Sequence, residues 1–172
     1  MKYLPLVAYV ATIFLANWAI TTFGLVPVGF GLLAPAGVYF AGLAFTFRDL
    51  TQDSLGRRWT YAAIVIGALL SGFLSGPLAL ASGVAFLVSE TADLLVYTPL
   101  RERRWLLAVG LSNTVGLVVD SVLFLMLAFG SLEFLWGQIV GKTEMTILAI
   151  VTLWLWRRLV ISERRNQSVG AV

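Results

Sequence analysis

Six long apolar segments follow one another along the chain, and nearly every basic residue falls in the breaks between them. The segments run over residues 4–23, 30–47, 59–74, 77–97, 105–129 and 137–156. A helix needs roughly 20 apolar residues to cross the hydrocarbon of a bilayer, and most segments are close to that length. None alternates with the period of two that a membrane strand would show. In lipid every backbone N–H and C=O must be paired internally, so helices are the only reasonable spans. The breaks "GLVPVG", "SGP", "TPLRERR" and "GSLEF" carry the glycines, prolines and charges that separate them. The reading is an all-α integral membrane bundle of six transmembrane helices, one domain over residues 1–172. The apolar run at the N-terminus outlasts the core of a usual signal peptide and is read as the first span.

Composition agrees: 59% of the 172 residues are hydrophobic and only 12% are charged, against about a quarter charged in soluble domains. There is no histidine and no cysteine. That removes the commonest general base, the reactive thiol and the usual ligands of zinc and haem. No G-x-S-x-G nucleophile turn is present either. The expectation is therefore not an enzyme, with no metal and no cofactor. The excess of basic residues is explained by topology rather than by nucleic acid. Lys2, the arginines at 48, 57 and 58, those at 101, 103 and 104, and those after segment six all fall on one side of a six-span chain. Positive residues mark the cytoplasmic side, so both termini are expected in the cytoplasm of a cell-membrane protein.

The informative residues are the polar ones inside apolar surroundings, because a charge within a span costs a few kcal/mol. Glu90, Asp93 and Tyr97 fall at i, i+3 and i+7 on segment four, one helix face. Asn113 and Asp120 share a face of segment five. At 1.5 Å per residue, Asp120 lies about 13 Å and Lys142 roughly 8 Å below the same end of the bundle, on antiparallel neighbours. The two could meet, or hold one polar ligand from two sides. Asn17 lies at similar depth on segment one. Asn17, Glu90, Asp93, Asn113, Asp120 and Lys142 are the candidate substrate-binding residues. Structural readings stand beside these: a buried pair for Asp120 and Lys142, ion pairs from Glu90 and Asp93 to Arg101 or Arg104, and amide bridges between helices for Asn17 and Asn113. The stretch "FRDLTQDSLGRR" is read as a cytoplasmic loop in which Arg48, Asp49, Asp53 and Arg57 form an ion network or inner gate, or only a solvated face.

Four stretches taken together, "FRDLTQDSLGRR", "SETADLLVYTPLR", "SNTVGLVVDSVLF" and "GKTEMTILAI", resemble the queuosine-precursor transporter family, also called the vitamin uptake transporter (VUT) family. The resemblance spans about residues 17–156. It implies a fold similar to the substrate-binding subunits of energy-coupling-factor transporters. It also implies import of a 7-deazaguanine base, preQ0 or preQ1. The partners implied are that small molecule and membrane lipid, with an energy-coupling-factor module or a second copy as further candidates. Trp18, Tyr39 and Phe124 are candidates to stack on the flat ring. The other readings are an importer of another vitamin-like molecule and a structural membrane subunit without a ligand.

Overall fold

The computed structural model describes residues 2–74 and 79–169. Among them are six helices and one small hairpin, in the order α1 (Leu4–Phe23), β1 (Leu25–Pro27), β2 (Leu33–Pro35), α2 (Val38–Leu55), α3 (Arg57–Leu74), α4 (Ala79–Leu100), α5 (Trp105–Phe129) and α6 (Leu135–Val169). α4 packs along α5, α1 against α2, α3 against α4, and α6 against both α2 and α5. Four of the helices are long and apolar enough to cross a membrane: Leu4–Phe23, Leu80–Leu100, Trp105–Phe129 and Leu135–Trp156. Their outer faces carry exposed apolar side chains such as Trp18, Leu80, Leu111 and Ile147. Polar side chains such as Arg48, Glu90, Asp93 and Lys142 are turned inward. This inverts a soluble protein and suits a hydrocarbon solvent.

The first and fifth helices have the expected bounds. The second does not. It was expected over 30–47, but residues 25–35 form an antiparallel hairpin pairing Leu25 with Pro35, Val26 with Ala34 and Pro27 with Leu33. The tip turns through Gly29, Phe30 and Gly31, all at positive φ (91°, 52° and 73°), a region open mainly to glycine. α2 starts eight residues later than expected and continues through "FRDLTQDSL", so Arg48, Asp49 and Asp53 are helical and not in a loop. Gly56 (φ 86°) then turns the chain directly into α3, which begins at Arg57 and not at Trp59. α4 runs on through Pro99 to Leu100. α6 continues past Trp156 to Val169. The expected start of segment four at Pro77 and the break "SGP" lie outside the described residues.

Small residues let the backbones approach. A Cβ at Gly42 would lie 3.0 Å from Lys142 Cα, and one at Gly37 would lie 2.7 Å from the Ala16 carbonyl oxygen. Such positions replace the missing hydrophobic drive between helices in lipid with close packing. They also bring α1, α2 and α6 together around one cavity.

Candidate functional site

The cavity has a volume of about 130 Å³ and is partly open to the outside. Its polar lining comes from Asn17 and Thr21 of α1, Ser71 of α3, Ser82 of α4, Asp120 of α5, and Gln138 and Lys142 of α6. Phe86 and Phe124 supply aromatic wall, and Ala16, Ile20, Pro35, Val38 and Ala41 supply aliphatic wall. Pro35 closes β2, so the hairpin contributes directly to the cavity.

Lys142 organises the polar side. Its Nζ donates to Asp120 Oδ2 at 2.6 Å, to Gln138 Oε1 at 2.6 Å and to Ser121 Oγ at 2.9 Å. An ammonium has three donors, and all three are used. Gln138 stands four residues before Lys142, one helical turn away on the same face. The Lys142 side chain is 1% exposed, while that of Asp120 is 16% exposed. Asp120 is therefore the charged group that a ligand can reach. Ser89 donates to its other oxygen at 3.4 Å. Asn17 donates to the Ile13 carbonyl oxygen at 2.8 Å. Ser71 and Ser82, also in the lining, join α3 to α4 through a 2.7 Å hydroxyl contact.

A second polar centre lies beside the cavity, centred on Arg48. Its Nη1 lies 2.7 Å from Asp49 Oδ1, its Nε lies 3.2 Å from Glu90 Oε2, and its Nη2 pairs with Asp93 Oδ1. The guanidinium carbon stands 5.7 Å from the centre of the Tyr97 ring. Ser112 donates to Asp49 Oδ2 at 3.2 Å. Arg48, Asp49 and Asp93 are 0% exposed and Glu90 1%. The planar fork of arginine is suited to engaging several carboxylates at once, as the ammonium of lysine is not. At the end of the bundle, Asp53 accepts from Tyr97 Oη at 2.8 Å, from Arg101 Nη1 at 3.0 Å and from Trp105 Nε1, tying α2 to α4 and α5.

Residues 72–161 match a family model described as "Putative vitamin uptake transporter". That match covers half of the chain. The chain belongs to the vitamin uptake transporter family. It is thus a multi-pass membrane protein of a small-molecule transporter family. No curated protein and no solved structure matches it.

The match to this transporter family runs from the end of α3 through α4 and α5 into α6. It therefore includes Glu90, Asp93, Asn113, Asp120 and Lys142, but not Asn17 or the Arg48 stretch. Asn17, Asp120 and Lys142 line the cavity together. Glu90 and Asp93 do not line it; their partner is Arg48, and Arg101 pairs with Asp53 instead. Asn113 bridges helices, its Nδ2 donating to Thr46 Oγ1 at 2.7 Å. The expected single network of Arg48, Asp49, Asp53 and Arg57 is divided. Arg48 and Asp49 belong to the buried centre, and Asp53 to the Arg101 knot. Arg57 is exposed and enters no ion pair among the described residues. Of the stacking candidates, Phe124 lines the cavity, whereas Trp18 is exposed and packs edge-on against Phe23, and Tyr39 donates to the Pro27 carbonyl oxygen at 3.4 Å. Sequence reasoning missed Gln138, Ser71, Ser82 and Phe86. Only Gln138 carried a signal, its spacing of four from Lys142.

Proposed function

We propose that the chain imports a queuosine precursor, a 7-deazaguanine base such as preQ0 or preQ1, across the cell membrane. The observation that carries this reading is the cavity in which Asp120 is partly exposed, flanked by the amides of Asn17 and Gln138 and faced by Phe86 and Phe124. A deazaguanine presents two adjacent donors, the ring N–H and the exocyclic amine, beside a carbonyl acceptor. A carboxylate takes both donors in parallel, and an amide N–H meets the carbonyl. Aromatic walls suit the flat ring. A structural subunit without a ligand would have the embedded charges closed on one another with no space between, and the cavity favours the importer over that reading. In this reading the hairpin faces outward, the Asp53 knot acts as an inner gate, and both termini are cytoplasmic, as the placement of the arginines favours.

The test is a binding titration of the purified full chain against preQ0, preQ1, queuine and guanine. Saturable binding of a deazaguanine base is the expected result. Binding of none of the four removes the substrate assignment, and saturable binding of another vitamin-like molecule instead would reassign the importer to that molecule.

A further inference from the structure

We propose that the centre around Arg48 is a proton-binding site, with Glu90 as the residue that carries the proton. One guanidinium there faces three carboxylates, Asp49, Glu90 and Asp93, and all four side chains are sealed from the outside. With every group ionised, two negative charges would remain uncompensated in a dry interior, a condition that buried groups relieve by neutralisation. No other cation reaches the centre among the described residues. Arg101 is held by Asp53, and Lys142 is held by Asp120, Ser121 and Gln138.

The groups around Glu90 come from every neighbouring helix that bears one: Tyr9 from α1, Arg48 and Asp49 from α2, Asp93 from its own helix α4, and Asp120 from α5. Glu90 meets the guanidinium at 3.2 Å, against 2.7 Å for Asp49. Its second oxygen, Oε1, is buried and makes no hydrogen bond. Beside it stands the Tyr9 hydroxyl, wholly buried, also without a hydrogen bond of ordinary geometry. The buried Tyr9 hydroxyl facing Glu90 is an observation separate from the charge count. A proton on Oε1 makes that oxygen a donor toward Tyr9 and removes one of the two surplus charges. Arg48 keeps Asp49 and Asp93 as its ionised partners, and Ser112 supports Asp49. Glu90 also follows Ser89, which bonds Asp120 at the cavity wall. If the importer reading holds, a proton-loading group thus stands next to the substrate cavity and makes uptake proton-coupled.

The test is infrared spectroscopy of the full chain in phosphatidylcholine vesicles, titrated from neutral to alkaline pH without substrate. The expected result is the carbonyl band of a protonated carboxylic acid at neutral pH, lost as the pH rises, and absent from Glu90→Gln. That variant should melt close to the parent at neutral pH, because an amide copies the shape and charge of the protonated acid. Should Glu90→Gln not fold, the parent chain labelled with carbon-13 in its glutamate carboxyls decides the matter: the band must move with the label. Absence of the band at neutral pH, its persistence in Glu90→Gln, or a band that ignores the glutamate label would each overturn the proposal. Substrate plays no part in this measurement. A titrating band in a chain that binds no deazaguanine supports the proton site and removes only the substrate reading.

Discussion

Ser89 and Glu90 are consecutive on α4, yet their side chains serve two different centres: Ser89 Oγ donates to Asp120 at the cavity, while Glu90 Oε2 accepts from Arg48. Successive helical residues point about 100° apart, at 3.6 residues per turn. One helix can therefore hold a wall of the cavity and a side of the ion centre without a loop between them. A small rotation of α4 would disturb both at once.

Arg48 is the keystone of its centre. Replacing it with leucine leaves three buried carboxylates without a cation, and breaking a buried pair on one side costs about 3–5 kcal/mol. Arg48→Leu is expected to lower the melting temperature strongly or to abolish folded yield. Arg48→Lys should recover little, since a point charge cannot replace the fork that meets Asp49, Glu90 and Asp93. Thermal unfolding in detergent measures both, and a lysine variant as stable as the parent would contradict the fork geometry.

Close helix approach makes a sharp contrast among the glycines. A Cβ at Gly37 would sit 2.7 Å from the Ala16 carbonyl oxygen, and both residues line the cavity. At Gly110 the nearest atom outside its own surroundings is the far end of Ile150, at 3.5 Å. Gly37→Ala should cost about 1–3 kcal/mol through forced backbone shifts and should weaken ligand binding. Gly110→Ala should be neutral or slightly stabilising, because alanine is the better helix former. Melting temperatures of the two variants check the difference.

Asp53 collects Tyr97, Arg101 and Trp105 at one end of the bundle. It stands apart from the cavity, so its removal should affect closure more than recognition. Asp53→Asn is expected to reduce uptake into vesicles while leaving ligand affinity in detergent within about threefold, less than 1 kcal/mol. Transport equal to that of the parent would leave the knot with a structural role only.

Much of this architecture was legible because hydropathy reports solvent. α1 and α5 have the expected bounds, since each stops at a glycine, Gly24 and Gly130. The second helix was misplaced because residues 24–47 are apolar throughout, and hydropathy does not separate a hairpin from a helix. The turn signals were present in Pro27, Gly29, Gly31 and Pro35, and should have outweighed the hydropathy. The charged stretch was read as a loop because its compensation is remote: Glu90 and Asp93 lie more than forty positions from Arg48. By contrast, the meeting of Asp120 and Lys142 followed from depth along two antiparallel neighbours. Ser71 and Ser82 flank the break between α3 and α4, and no periodicity across that break sets a register for pairing them.

Orientation can be measured directly, because the chain contains no cysteine and single cysteines report cleanly. Phe30 at the hairpin tip is 91% exposed, and Arg58 is exposed at the start of α3. With the arginine-rich breaks inside the cell, Phe30→Cys should react with an impermeant thiol reagent from outside. Arg58→Cys should react only after the membrane is opened. The opposite pattern would invert the topology.

The pair of Asp120 and Lys142 separates recognition from stability. Lys142→Gln leaves Asp120 without its cation in a mostly apolar wall and should destabilise the protein. Asp120→Asn is milder, because Lys142 keeps Gln138 and Ser121 as acceptors. Removing both charges together should recover part of the loss, giving a coupling of about 0.5–3 kcal/mol between groups in direct contact. Ligand affinity should follow a different rule. If Asp120 reads the donor edge of a deazaguanine, each charge-assisted bond lost weakens binding by roughly 1.5–3 kcal/mol, about tenfold to more than a hundredfold. The double variant should then regain stability without regaining affinity. Thermal unfolding and ligand titration on the same four proteins provide the measurement, and unchanged affinity in folded Asp120→Asn would move the binding site away from this cavity wall.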